Sequence, residues 1–421
     1  MQPKTLEIVA WVGLDWADEQ HEVRLQAVGS REVQSFVLPQ RPEAVKAWLS
    51  QLRARFPHGQ VAPALEQARG ALIYALMNYD FLLLYPVPPQ SLARYRQAFY
   101  PSGSKSDPQD ADLLLELVRS HRDRLRVWQP EDALTRQLRL LVEHRRKLIA
   151  DRTRLTNRLT SLLKESFPQA LEWAGPLGSL EASEFFAQWT SLAAAQQAGR
   201  SQLRHFYLAH GERDPRRPEE RLNQIRQAQP LTSDLALLET SALMVSILAG
   251  QLRALLPAHE RLETAIAQLF SQHPDHGLWE SFPGAGQALA PRLLVAFGSD
   301  RTRFQNAGEA QQFSGIAPVI ERSGKICWVH WRWACPKFLR QSFHEFAAHT
   351  IPSSGWAKAY YLQQRSRGLG HHAALRALAF KWLRILYRCW QSRTPYDERL
   401  YLKALARRGS PLKLTLSVPP N

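Results

Sequence analysis

Four carboxylates and one serine carry the chemistry that this sequence offers. Asp15 closes an apolar run in "VGLDW", and Glu66 closes another in "VAPALE". Asp107 and Asp110 stand in "SKSDPQDAD", where a loop turns into a helix. A spacing of three puts these two on one side of a helical turn. Carboxylates at strand ends and at a helix start can converge at the edge of one sheet. Hard oxygen ligands gathered in this way suit Mg²⁺ or Mn²⁺. Two such ions can activate a nucleophile and stabilise the leaving oxygen of a phosphodiester. The plainer roles are an N-cap for Asp107 or Asp110 and a turn position for each strand-end acid. Asp112 lies on a different face from Asp110 and is the weaker candidate. Lys105 precedes the pair, where it can meet a phosphate.

Ser323 lies in "PVIERSGKICWVHWRW", between Arg322 and Lys325. A serine needs activation before it attacks phosphorus, and its transition state gathers negative charge. Arg322, Lys325, Arg332, Lys337 and Arg340 supply nearby cations. Taken alone, Ser-Gly is a turn signal. From Ile326 to Trp333 the residues alternate. Cys327, Val329, Trp331 and Trp333 fall on one strand face; Ile326, Trp328, His330 and Arg332 fall on the other. The tryptophans are expected mainly in a packed strand that holds the Ser-Gly turn in place. Stacking on unpaired bases is the alternative.

Upstream, "FPGAGQALA" resembles the turn of a helix-hairpin-helix. Gly284 and Gly286 allow close backbone approach, and the helix that follows offers free N–H groups to an anion such as a DNA phosphate. The alternative is a tight inter-helix turn.

The elements that must hold these residues follow from periodicity. "EIVAWVGLDW", "HEVRLQAVG" and "REVQSFVLP" read as strands. "PEAVKAWLSQLRARF" (42–56) reads as a helix with Pro42 in its first turn. "QVAPALE" (60–66) reads as a strand, which Pro63 marks as an edge or an irregularity. A helix through "ALIYALMNY", a strand "FLLLYPV", a loop at 100–109 and a helix from "DADLLLELVRSHR" follow. This order predicts an α/β layer domain with a mixed sheet. From Leu134, leucines recur at steps of three, four or seven, with Arg145 and Arg152 interrupting the seam. A second long helical pattern covers about 232–272, with Pro257 as a kink. The two predict an antiparallel coiled-coil arm around a Pro-, Arg- and Gln-rich insert. Arg145, Arg146 and Arg152 belong to a cationic face suited to a nucleic acid backbone. The C-terminal region is expected to be mainly helical. The boundaries expected are 1–130, 131–275, 276–406 and a loose tail at 407–421.

The 421 residues suffice for two or three domains, and a hydrophobic content of 45% indicates a globular chain. A net charge of +16 favours a polyanionic partner, nucleic acid before an anionic membrane. No run is read as approaching the roughly 20 apolar residues of a membrane span, and no signal peptide is read. Cys327, Cys335 and Cys389 lack CxxC spacing, which argues against a disulfide framework or a zinc site and for a reducing, cytoplasmic home.

Taken together, these motifs resemble the bridge-RNA-guided transposases of insertion-sequence family one hundred and ten, in order and over nearly the whole chain. "VGLDWADEQHEV", "ALEQARGALIYAL" and "KSDPQDADLLLEL" look like the family's acid motifs, giving Asp15, Glu66, Asp107 and Asp110. "FPGAGQALAPRLLVAFG" followed by "FSGIAPVIERSGK" is similar to its transposase-domain signature and gives Ser323. Two departures stand out. "EQARGALIY" lacks a threonine common after the Glu, and "ICWVHWRWACPKF" replaces a basic, glycine-containing segment. The resemblance implies a RuvC-like, RNase H-fold Asp-Glu-Asp-Asp domain, a coiled-coil middle and a transposase domain with a nucleophilic serine. It further implies Mg²⁺ or Mn²⁺ at the acids and recombination of donor and target double-stranded DNA through a phosphoserine link. A structured non-coding bridge RNA would act as guide, and a homo-oligomer, a dimer or a synaptic tetramer, would form. The alternatives are a RuvC-like endonuclease such as a junction resolvase, using only the acids, and a non-catalytic RNA- or DNA-binding scaffold.

Overall fold

β1 (Ile8–Asp15) is apolar over most of its length, IVAWVGLD, because it lies inside a sheet. β2 (Gln20–Ala27) and β3 (Gln34–Pro39) extend from it antiparallel. β4 (Gln60–Leu65) and the short β5 (Tyr85–Pro86) lie on its other side in parallel, giving the order β3-β2-β1-β4-β5. This is the expected mixed, RNase H-like sheet. The computed structural model describes residues 7–66, 70–100, 102, 104–214 and 216–409. It divides the chain into two compact units, Met1–Pro130 and Glu131–Asn421.

In the first unit, α1 (Pro42–Arg55) begins on its proline and buries Val45, Trp48, Leu49 and Leu52, one helical face. α2 (Ala71–Leu76) follows β4. α3 (Pro89–Phe99) is an element the sequence reading missed, although "PPQ" opens it with a proline in its first turn. α4 (Asp107–Ser120) buries Leu113, Leu114, Leu117 and Val118. The strand expected through "FLLLYPV" shrinks to β5 and one bridge, Val61 to Leu82. Pro63 needs a correction: it sits in an inner strand, opposite Val12 of β1. Val61, of the same parity, donates toward Phe81 on the β5 side. The missing N–H of Pro63 therefore falls on that side, where pairing is short, and β1 keeps its ladder.

The second unit is built on α5 (Ala133–Ser166) and α11 (Leu235–Gln272). The Asp132 side chain caps α5 by accepting from Thr135 N–H. The two helices run antiparallel: Thr135 meets His273 at one end, Arg145 meets Glu263 further along, and Leu155 lies with Leu255 beyond. Leu138 and Leu159 of the expected seam are buried, and Leu163 rather than the expected Leu162 is buried at its end. Pro257 lies inside α11. By length and composition α11 is long and apolar enough to cross a membrane, with an 18-residue window of mean hydropathy 1.6, which corrects the sequence reading. Here its apolar stripe packs on α5. Between the two come α6 (Ala170–Trp173), α7 (Leu180–Gln188), α8 (Leu192–Gln197), α9 (Arg200–Ala209) and α10 (Arg217–Gln227). They close over an aromatic core of Phe167, Trp173, Phe185, Phe186, Trp189 and Phe206.

A second core takes the start of α5 and the end of α11 together with α12 (His276–Glu280), α13 (Gly286–Phe297), α14 (Ala307–Phe313), α15 (Lys337–Thr350), α16 (Gly355–Ser366) and α17 (His371–Ser392). α18 (Glu398–Arg407) follows. Trp279, Trp356, Trp382 and Trp390 are fully buried there. Between α14 and α15 the chain makes one antiparallel hairpin, β6 (Val319–Ser323) and β7 (Ile326–His330). The expected tail lies outside the described residues beyond 409.

Candidate active site

Asp15 and Glu66 stand at the carboxyl ends of neighbouring parallel strands, since Leu14 pairs with Leu65 one position earlier. The carboxyl edge of a parallel pair is where α/β sheets place their ligands. α4 brings the other two acids to this edge, and Gly13 lets it do so. A Cβ on Gly13 would stand 2.0 Å from Ala111 O and 2.5 Å from Leu115 N, so α4 lies directly on the β1 backbone. Asp107 and Asp110 occupy its first turn, where the helix dipole favours negative charge. Ser106 is the N-cap residue and makes no side-chain cap bond.

The four acids form one electrostatic group. Burial, then the charges of Asp110, Asp107 and Glu66, push the Asp15 carboxyl up to about 7; Lys105 opposes them. Asp110 is fully buried, whereas Asp107 is exposed. Arg96 on α3 grips Asp110 Oδ1 through Nε at 2.7 Å and Nη2 at 2.5 Å. Lys105 Nζ stands 3.9 Å from Asp110 Oδ2, which is buried and accepts no hydrogen bond. Asp112 points elsewhere and takes Arg24 Nε at 2.8 Å. Arg96 escaped the sequence reading together with its helix. Its signal would have been an arginine one turn before the end of a proline-opened helix.

Hard oxygen donors, mutual repulsion and an orphaned buried carboxylate oxygen fit a divalent cation in their chemistry. Among the described residues, however, no three His, Cys, Asp or Glu side chains are grouped closely enough to hold an ion. The acids stand as separate carboxylates, and one of them is engaged by arginine.

Ser323 ends β6 and pairs with Ile326 across the two-residue turn Gly324-Lys325. Gly324 has φ +57°, the left-handed conformation that such a turn requires. The serine stands on an open surface, and no described residue hydrogen-bonds its hydroxyl. The expected cationic surround is looser than the sequence reading had it. Arg322 pairs with Cys327 and so faces away from Ser323. Arg332 is spent on the carbonyls of Ala317 and Pro318, at 3.0 and 3.3 Å. Arg340 donates to Arg332 O at 3.1 Å. Lys337 is exposed at the start of α15, and Lys325 sits in the turn itself.

The tryptophans also need a correction, because the hairpin is not packed into a core. Trp328 is 46% and Trp333 80% exposed. Trp331 is half-buried between the guanidinium groups of Arg340 and Arg376, 4.7 and 4.4 Å from its ring centre. Alternation identified the faces correctly from Ile326 to His330, where the strand ends, so Trp331, Arg332 and Trp333 lie outside it; among the described residues neither face of the hairpin has a covering layer.

The remaining expected contacts are placed as follows. Gly284 has φ +72°, and a Cβ there would meet His349 O at 2.3 Å, so its close approach is to the protein's own backbone. Gly286, with φ +52°, is exposed and has open space around it. Arg145 holds Glu263 across the helix pair at 2.5 Å, and Arg146 covers the ring of Phe338. Arg152 is half-buried near His259. The exposed cations of α5 include Arg154, Arg158 and Lys164.

Two family models match this chain. One, a transposase model of the DEDD type, covers residues 12–168; the other, the transposase IS116/IS110/IS902 family, covers residues 277–362. Together they span more than half of the chain. The mini-circle putative transposase for IS117 of Streptomyces coelicolor is 27% identical over 403 residues, 93% of this chain and 96% of the relative. An insertion element IS110 protein of the same species is 27% identical over 94% of this chain and 97% of its own length. An insertion element IS900 protein of Mycobacterium paratuberculosis is 24% identical over 90% and 94%.

Proposed function

Because this chain belongs to the IS116/IS110/IS902 family of transposases, with a DEDD domain ahead of the family's C-terminal domain, we propose that Ser323 cuts and rejoins DNA with the help of the acid set. Membership implies DNA as the substrate and a divalent metal at the DEDD domain in general terms. The observation that carries the reading on the acid side is the placement of Asp15 and Glu66 at neighbouring parallel strand ends with Asp107 and Asp110 in the first turn of α4; burial first, then the charges of Asp110, Asp107 and Glu66, raise the proton affinity of Asp15 there. Ser323 as nucleophile is supported by its place in the C-terminal signature and by its exposure to a large polyanion.

Ser323 Oγ loses its proton and attacks phosphorus. An Oγ–P bond forms, the bond to one deoxyribose oxygen breaks, and that oxygen takes up a proton. Attack by the deoxyribose hydroxyl of another strand reverses these changes and frees the serine. The number of phosphodiester bonds is conserved, so no external energy source is needed. Lys325, in the turn beside Ser323, neutralises phosphate charge, and exposed Lys337 at the start of α15 is the further lysine of this region. Asp15, Glu66, Asp107 and Asp110 would hold a Mg²⁺ or Mn²⁺, which would supply Lewis-acid stabilisation to phosphate oxygens. Lys105 holds a phosphate near these acids.

We further assign a structured non-coding bridge RNA as the guide that pairs with donor and target DNA, and a homo-oligomer, a dimer rising to a synaptic tetramer, as the working form inside the cytoplasm. The division proposed for the second unit is a coiled-coil arm at 131–275 and a transposase domain at 276–406. The exposed cations of the arm, Arg146 among them, and exposed Gly286 track nucleic acid backbone, while Arg145 is engaged by Glu263.

A recombination assay with donor DNA, target DNA and the element's RNA tests this. Ser323→Ala, Asp15→Asn and omission of the RNA are each expected to abolish recombination. Undiminished strand cleavage by Ser323→Ala would leave a metal-dependent, RuvC-like endonuclease. Recombination unaffected by both Asp15→Asn and Asp107→Asn would reduce the acid domain to a scaffold.

A further inference from the structure

We propose that Trp328 is a stacking platform for an unpaired DNA base next to the phosphodiester that Ser323 attacks. The inference deepens the proposed function and rests on it for the identity of the strand as DNA. Its geometry comes from the hairpin register. Ser323 pairs with Ile326, and Glu321 pairs with Trp328. Residues directly opposite in an antiparallel ladder share a face, so Ser323, Glu321, Ile326 and Trp328 all project from the same side. Trp328 is the diagonal neighbour of Ser323, about 7–8 Å away across the ladder, within the reach of an aromatic ring. That separation matches the step from a backbone phosphate to an adjacent base.

The surface is built for a polyanion with flat apolar parts. Trp328 is 46% exposed, Ile326 56%, and among the described residues no other layer of the fold covers them. From Ser314 to His344 the chain has five Arg or Lys and one acid, Glu321. That acid is held by His330, 3.5 Å away on the same face. An exposed indole near the turn lysine Lys325 is a platform of the kind on which single-strand binders stack bases, since every base has a π-face. A base inside a duplex cannot offer that face. Strand exchange, however, requires each strand to leave one partner before it joins the next. Trp331, fixed between Arg340 and Arg376, anchors the base of the hairpin and leaves Trp328 free at its outer half. Trp328 is therefore a positioning residue: it fixes where the scissile phosphate lies relative to Ser323 and takes no proton.

The test uses the full chain carrying Ser323→Ala, so that covalent capture does not contribute to binding. Fluorescence anisotropy compares a short labelled single strand with a duplex of the same length. Trp328→Ala is expected to weaken single-strand binding about 5- to 100-fold, the range of one lost base–aromatic stack, and to leave duplex binding unchanged. Trp328→Phe is expected to restore most of the affinity. Unchanged single-strand affinity, or an equal loss on single strand and duplex, overturns the proposal. So does a change in oligomeric state by light scattering with DNA affinity intact, because the hairpin would then cover a second copy of the chain. If Trp328 proves irrelevant while DNA still becomes linked to Ser323, this inference fails and the proposed reaction stands. If single-strand selectivity is lost as expected but the chain that retains Ser323 never becomes linked to DNA, the reaction fails and the stacking surface stands.

Discussion

Asp15 is the residue whose chemistry is most strongly altered by its surroundings. Its folded-state carboxyl is pushed up to about 7 by burial and by Asp110, Asp107 and Glu66, well above the usual range of a free aspartate, about 3.9. Between these two values the folded chain binds more protons than the unfolded one, so this group costs stability as pH rises through the window. Asp15→Asn removes the penalty. In metal-free buffer the variant is expected to melt above the wild type at mildly alkaline pH, with the gap closing as pH falls toward about 4. Thermal melts across that range check this, and a gap that widens on acidification would contradict it. The acids were legible in the sequence because each ends an apolar run or opens a helix. Arg96 was not, because its partner Asp110 lies 14 positions away and no local pattern announces a long-range ion pair.

At the scale of elements, the acid site depends on how flat α4 lies on β1. Gly13 is the reason, and a glycine inside a strand is itself a readable sign of close approach. Gly13→Ala places a methyl 2.0 Å from Ala111 O, where backbone must give way. An overpacking cost of about 1–3 kcal/mol is expected, read by denaturant unfolding. The shift of α4 carries Asp110 away from Asp15, so stabilisation by added Mn²⁺ should fall as well. Wild-type stability in Gly13→Ala would show that α4 and β1 are not in this contact. The hairpin teaches the opposite lesson. Alternation correctly gives which residues share a face in "ICWVH" but runs on through Trp331, Arg332 and Trp333, which lie beyond the strand, and periodicity does not say whether a face has a neighbour. Trp328 and Trp333, expected in a packed strand, lie instead on an open surface and Trp331 is half-buried between arginines, whereas the fully buried tryptophans come from α12, α16 and α17. Pro63 misleads for a related reason: its missing N–H is tolerated on the side where β5 is short.

The whole chain carries +16 charges, and its two units hold the two candidate chemistries, acids in the first and serine in the second. The order of these parts was legible from motif order, as was the mixed sheet of the first unit. The bundle of α6 to α10 was not, because its short helices carry too few turns for a clear period. A molecule that rejoins DNA through its own serine must at some moment be covalently attached to the strand it has cut. The full chain can be incubated with donor DNA, target DNA and RNA, denatured in mid-reaction, trimmed with nuclease and proteolysed for mass spectrometry. The expected result is a nucleotide phosphate on Ser323, absent from Ser323→Ala, which also fails to recombine. Recombination without nucleotide on Ser323, or at the wild-type level in Ser323→Ala, would contradict it.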